Sequence, residues 1–430
     1  MINICFCFHF QTARRPVEDS RTTEERLRDN LLLTLEYAYP NVLSVDDFVR
    51  ILKCEPGQLT AQLQDLAAKN LIKDMEGGKL WVRNAVDTSA NVQVVKQMPV
   101  FHRAQQPTIA IITALYCEKL AVDAMMEEKT TFVRYKLEGE SHVYTLGYIG
   151  DFRVVSTKLP AIGRAQAAQI ASGNTTTRLL GTFSEIEHVL LVGVGGGVPH
   201  FMDFHKHVRL GDCVISTPNA RRYMYYFCDK VLKDEKTQEL TYTVKGWGAS
   251  SLELQDAIAQ IQERLTQDSD YAPWEQFIEE GQAMLGDQDL DFKRPPPGSD
   301  RLYMNIGEDD VIEVQHPPVP ETFADHYRPG MPTLRYGQIG CGKPLVKNEV
   351  LRQDFAARQN IICFDTEFDQ VMESICGNRK DSFLFVRGIA DYLDGSRGKD
   401  WQPYAALVAA SVAKSIIMSL PSNIRNSNAY

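Results

Sequence analysis

The sequence predicts an α/β protein, a twisted mixed sheet with helices on both faces, preceded by a small domain of helices and a hairpin. Three observations predict it. Between Thr108 and Leu420, apolar runs such as "TIAIITAL", "HVLLVGVGGGVP" and "SFLFVRGIADYLD" read as buried strands, and they alternate with helical stretches such as "RAQAAQIASGNTTTRLLGTF". From Thr22 to Asn84 the texture is instead compactly helical, ending in two short strands around a Gly-Gly turn. At 430 residues the chain has room for two or three domains of about 150 residues each.

Taken in order, residues 1–21 form an apolar but short and unbasic start, read as a disordered N-terminus and not as a signal peptide. Residues 22–86 read as a winged-helix-like module. "TTEERLRDNLLLTLEYA" opens on a Thr/Glu capping pattern, "SVDDFVRIL" on a serine cap, and "PGQLTAQLQDLAAKN" near a proline. "LIKDMEGGKLWVR" is then a hairpin. Residues 87–107 are polar and aperiodic and read as a linker. Residues 108–420 form the α/β domain, and residues 421–430 a tail. Inside that domain, 221–335 runs through "FKRPPPGSDRLYMN" and "HPPVPETF" and reads as an insertion serving as a lid or an interface.

Charge narrows the partners. The net charge of −10 argues against general affinity for nucleic acid or anionic lipid. Between Arg21 and Arg83 there are nine basic and ten acidic residues, so the module lacks the basic face of a DNA reader. Docking of a protein partner through residues 22–86 is the expectation. No apolar run reaches the roughly 18 residues that a membrane helix needs. The nine cysteines are scattered and make no CxxC, which points to a reducing compartment, expected to be the cytoplasm with the nucleus also open. His200, His205 and His207 could chelate, but no cysteine or acid completes a site, so the expectation is a solvated loop and no metal.

In open α/β domains the ligand lies beyond the carboxyl ends of the strands. Four pieces fall there: Glu118, the glycines Gly193–Gly197, the acids Asp365–Asp369, and Asp391 in "RGIADYLD". The glycine run does not fit GxGxxG, and GxxxxGK[ST] is absent, so dinucleotide and triphosphate loops are not indicated. Asp365 and Asp369 are expected to serve as helix-start charges.

In this order, "AIITALYCE", "LPAIGRAQAA", "LLVGVGGGVPHFMDFHKHVRLGDCVIS", "CFDTEFDQVM" and "VRGIADYLDGSRGKDWQPYAALVAASVAK" resemble the purine nucleoside phosphorylase and nucleosidase superfamily. The likeness is greatest to methylthioadenosine/S-adenosylhomocysteine nucleosidases and to related domains of fungal and animal multidomain proteins. The resemblance implies a nucleoside phosphorylase-like fold and cleavage of a purine nucleoside's N-glycosidic bond, with no cofactor. It implies that Asp391 protonates the base, that Glu367 holds the ribose hydroxyls, and that Glu118 activates the attacking water. Val194, Gly195, Gly196, Leu345, Val346, Phe364 and Thr366 would contact sugar and base. The pattern departs at Thr366, Phe368, Asp369 and Ala390. Leu191 and Val194 stand where a phosphorylase carries its phosphate-binding arginine and serine, so water is the expected nucleophile. A homo-oligomer is implied. The alternatives are a non-catalytic nucleoside sensor or scaffold, and a phosphorylase.

Overall fold

The structure, a computed structural model, describes residues 21–421 except 85–90, 136–140, 161–165, 308–309, 347, 366–367 and 393–398. The sequence reading of residues 1–20 and 422–430 lies outside these. Helix α1 (Thr23–Ala38) begins at a reciprocal cap: Thr22 accepts the Glu25 N–H, and the Glu25 carboxylate accepts the Thr22 N–H. Strand β1 (Leu43–Ser44) leads into α2 (Val45–Leu52), capped the same way by Ser44 and Asp47. Helix α3 (Pro56–Ala68) has Pro56 in its first turn, where the missing N–H costs nothing. Strands β2 (Ile72–Asp74) and β3 (Leu80–Arg83) turn through Gly77 and Gly78 at φ +57° and +85°. Leu43 pairs with Trp81, so β1 makes the wing three-stranded. Two residues are too short for a strand signal. Leu31, Leu35, Phe48, Leu59, Leu63 and Leu66 form this module's own core.

The stretch read as a linker contains strand β4 (Asn91–Val94), which is a correction. Its four residues, Asn-Val-Gln-Val, alternate polar and apolar but are too few to stand out and are all exposed, and its backbone pairs in parallel with β6 (Glu127–Arg134) at the sheet edge. Between them lie β5 (Ile109–Thr113) and α4 (Tyr116–Ala124). Next come β7 (His142–Ile149), β8 (Phe152–Lys158), α5 (Gln166–Thr182), β9 (His188–Gly197) and β10 (Cys213–Ser216).

The segment 221–335 corrects a second reading. Strands β11 (Tyr225–Lys233) and β12 (Leu240–Trp247) extend the main sheet, and α6 (Glu253–Gln267) and α7 (Pro273–Met284) bury apolar faces. The hairpin β13 (Leu302–Gly307) and β14 (Asp310–Val314) stands apart as its own sheet. The domain closes with β15 (Leu334–Cys341), α8 (Lys343–Val346), α9 (Glu349–Gln359), β16 (Ile361–Phe364), α10 (Asp369–Gly377), β17 (Ser382–Asp391) and α11 (Trp401–Met418).

The strand order is β12-β11-β15-β10-β17-β9-β5-β8-β7-β6-β4. Strand β16 pairs with both β15 and β9, so β15, β10, β17, β9 and β16 close on themselves. One helix group, α11 with α4, α6 and α7, and another, α5 with α10, flank the sheet. Helix α11 is apolar nearly all round because it is buried nearly all round. A Cβ at Gly388 would lie 1.8 Å from the Ala405 carbonyl, which is how closely α11 sits on β17.

The winged helix docks on this domain through buried polar contacts. The Lys158 ammonium donates to the carbonyls of Tyr37, Tyr39 and Leu159 at 2.9–3.1 Å. Burial pushes Lys158 down to about 7, yet only the ammonium has three protons for three carbonyls, so the contact itself favours the charged form. Arg83, fully buried, is shared by Glu36 and Asp289 and lies 4.7 Å over the Tyr116 ring. Lys158→Met keeps the apolar stem and removes all three donors. We expect a loss of about 1–3 kcal/mol in a denaturant melt and faster amide exchange at the end of α1. Unchanged exchange there would show that Lys158 does not hold the dock.

Candidate functional site

Three strands meet at Gly196. On one side it is in register with Phe364, the last residue of β16, and on the other with Asp391, the last residue of β17. Asp391 is half-buried. The sequence-predicted acid, glycine and aromatic residue are therefore neighbours. Gly195 has no room for a side chain, because a Cβ there would lie 2.5 Å from the Cys363 sulfur and 3.1 Å from the Phe364 carbonyl.

Glu118 comes to the same place from α4. Its Oε2 accepts the N–H groups of Ala114 and Leu115 at 2.7 and 2.8 Å, and its Oε1 accepts the Val194 N–H at 2.8 Å. A carboxylate offers about four acceptor positions, so three backbone bonds leave one for a water or a ligand. Gly193 makes this possible: a Cβ there would lie 2.4 Å from Glu118 Oε1. Burial raises the Glu118 pKa above its ordinary value, against the Arg387 charge and the three N–H groups. The carboxylate is thus a stronger base than in water.

Arg387 is the site residue that reading by motif missed. Its guanidinium is 2% exposed and pairs with Asp365, which is 3% exposed. Its Nη1 donates to the Leu191 carbonyl at 2.8 Å, and the group lies 5.1 Å over Phe368 and 5.3 Å over Phe385. Its Nη2 is buried without a hydrogen-bond partner. A lone arginine inside the apolar run "SFLFVRGIAD" was the available signal. The pairing corrects the reading of Asp365 as a helix-start charge: Asp365 neutralises Arg387. Asp369 does begin α10.

Glu367 and Thr366 lie outside the described residues. The residues on either side are fixed: the Asp365 N–H donates to the Gly340 carbonyl, and the Phe368 N–H to the Tyr225 hydroxyl. Leu345 is 1% exposed and packs in a satellite core with Phe364, Phe355 and Tyr226. Val346 ends α8, beside it in the chain.

The expectation of a solvated histidine loop is corrected at His207, which is fully buried. Its Nδ1 accepts the His200 N–H at 3.1 Å, so its Nε2 carries the proton and donates to His316 Nδ1 at 2.9 Å. His316 Nε2 donates to the Asp300 carbonyl at 3.0 Å. Asp300 also binds Arg209 and accepts the Tyr392 hydroxyl at 2.7 Å. Tyr392 follows Asp391, so this network braces the end of β17. His316 was invisible to local reading because it lies 109 residues away. Among the described residues, no group of three or more His, Cys, Asp or Glu side chains could hold a metal, and no helix is long and apolar enough to cross a membrane.

Comparison with known proteins agrees at the N-terminus: residues 18–85 match the family model of a winged helix-turn-helix domain. Over 313 residues, 73% of this chain, the sequence is 28% identical to a nucleotide-binding leucine-rich repeat (NLR)-like protein of Hyaloscypha variabilis. The chain spans only 29% of that relative's length. Similar solved structures include the 5'-methylthioadenosine/S-adenosylhomocysteine nucleosidase of Neisseria meningitidis in complex with methylthio-immucillin-A, at 15% identity and a TM-score of 0.43. That match covers 73% of this chain and 100% of the other. Futalosine hydrolase of Helicobacter pylori is similar at 14% identity and a TM-score of 0.42, covering 74% and 100%.

Two outcomes follow from the site. Gly193→Ala pushes a methyl into a carboxyl that three N–H groups hold in place, and should cost about 1–3 kcal/mol, read as a lower denaturant midpoint. An unchanged midpoint would mean that Glu118 moves aside freely. The second concerns pH. Burial, with His316, Arg335, Arg209 and His200 nearby, lowers the His207 pKa from 6.5 to about 3. The unfolded chain therefore takes up a proton that the folded one refuses, and stability falls as pH drops below about 6.5. Between pH 6.5 and 5 the loss from this group should be about 1–2 kcal/mol. His207→Phe should flatten that slope, and an unaltered slope would refute the assignment.

Proposed function

We propose that the protein cleaves the N-glycosidic bond of a purine nucleoside by hydrolysis. The observation that carries the reading is the shared register of Phe364, Gly196 and Asp391, with the Glu118 carboxylate beneath Gly193 and Val194. It joins the motifs whose resemblance suggested this chemistry. Water bonds to the anomeric carbon as the C–N bond breaks. The proton of water passes to Glu118, and Asp391 gives a proton to the departing base, making it a better leaving group. Glu367 holds the ribose hydroxyls and supports positive charge on the sugar. Leu345, Val346, Phe364 and Thr366 contact sugar and base.

Water is favoured over phosphate by charge. Among the described residues, the guanidinium at the site is that of Arg387, which is balanced by Asp365 and lies within the field of Glu118. These described residues leave little positive charge for a phosphate, and Glu118 repels it. A second reading has its own support. The likeness to part of a nucleotide-binding leucine-rich repeat (NLR)-like protein suits a non-catalytic nucleoside sensor or scaffold, with the winged helix docking a protein partner.

A panel of purine nucleosides, with and without phosphate, separates these readings. Base release independent of phosphate is expected. Asp391→Asn keeps shape and loses the transferable proton, so turnover should fall about 10²–10⁴-fold while nucleoside binding is largely kept. A variant as fast as the parent would eliminate the acid role. Binding without release by both proteins would establish the sensor.

A further inference from the structure

A cavity lies in the region read as an insertion, built on α6, α7, the 321–326 turn and the start of β15, and sharing no lining residue with the site at Gly196. Its volume is about 260 Å³. Two of its lining residues carry buried polar atoms without a protein partner: Trp274 Nε1 and the Tyr336 hydroxyl. Trp274 is 3% exposed, so its N–H has no access to bulk water. Leaving such a group unmatched costs more than a typical hydrogen bond contributes. Both atoms are sealed in the free protein, so a ligand's acceptor reaches them from the cavity only after a small shift of the Trp274 or Tyr336 side chain.

The remaining walls define the ligand. Trp274, Phe323 and Tyr336 present aromatic surface, which favours a flat molecule. Arg328 and Glu275 also line the cavity but bind each other at 3.0 Å, so a charged ligand would have to break that pair. The indole N–H can only donate, so the ligand must offer an acceptor. The volume is below the ~300–1,000 Å³ of drug-sized pockets, which limits the ligand to a small one. We propose that this cavity is a binding site for a small, neutral, planar molecule with a carbonyl or ring-nitrogen acceptor, held by Trp274 and Tyr336. The assignment does not depend on the nucleosidase reading.

The test uses the full chain labelled with 5-fluorotryptophan, whose four tryptophans give four fluorine resonances. Trp274→Phe identifies the signal of interest. Nicotinamide, neutral and planar with two acceptors, should shift the Trp274 resonance saturably at millimolar concentration. Benzoate, of similar shape but charged, should bind more weakly, and toluene, without an acceptor, more weakly still. Tyr336→Phe should weaken nicotinamide about three- to tenfold, the worth of one hydrogen bond. It should not lower the melting temperature of the free protein, since it removes an unmatched group. A Trp274 signal that ignores nicotinamide overturns the proposal. So does equal binding of toluene, or equal affinity in Tyr336→Phe, since either makes the cavity a mere apolar void.

Discussion

A buried charge organises the centre of the domain. Arg387 is the one charged residue of the buried stretch from Phe383 to Ala390, with 2% of its side chain exposed, and it cannot shed its proton. A guanidinium so placed demands an equally buried counter-charge. Asp365 meets that demand, which fixes the end of β16 against β17. Strand β16 accordingly leaves the linear sheet order and bridges β15 and β9. Every part of the candidate site hangs on that closure. Phe364 precedes Asp365, Gly193 is in register with Arg387, and Asp391 ends the arginine's own strand.

Periodicity and punctuation carried much of this architecture. The caps at Thr22 and Ser44, the proline at α3 and the Gly-Gly turn act over three or four residues, so local sequence reveals them. Strands β5, β9, β16 and β17 announce themselves as apolar runs because the sheet is covered at its centre. Strands β4, β11 and β12 lie towards its edges, where solvent-facing residues interrupt the apolar run and leave at most a polar/apolar alternation. The proline-rich texture of 221–335 hid the fact that part of it belongs to the sheet. At the site, Glu118, Gly196 and Asp391 were legible from motifs. The pairings of Arg387 with Asp365 and of His207 with His316 were not, because the partners lie 22 and 109 positions apart: the lone arginine in its apolar run marks a buried charge but not which acid meets it.

The two domains are also joined at a chemically sensitive place. Helix α4 carries Glu118 on its first turn, and the same turn presents Tyr116 to the winged helix. The Tyr116 hydroxyl donates to the Asn84 carbonyl, its ring packs edge-on against Tyr39, and Arg83 lies over it. Lys158, which grips the end of α1, feels the Glu118 charge as well. Contiguous packing of this kind supplies a path from the module to the site, although a path becomes coupling only when some element has two arrangements to choose between.

Two glutamates in this chain show what burial adds to a common local device. Glu25 and Glu118 both stand in the first turn of a helix, and both accept the N–H of the residue before it. Glu25 is exposed, and the Thr22 N–H lowers its pKa, so it acts as an acidic cap and nothing more. Glu118 makes three such bonds and faces a guanidinium, each of which favours the carboxylate, yet its pKa is raised. Desolvation outweighs them all. A helix start needs no such arrangement, since an exposed acid caps as well. What the burial yields is a fixed, basic carboxylate with one acceptor position left over. The feature that admits it is the missing side chain of Gly193, without which the carboxyl could not approach the strand.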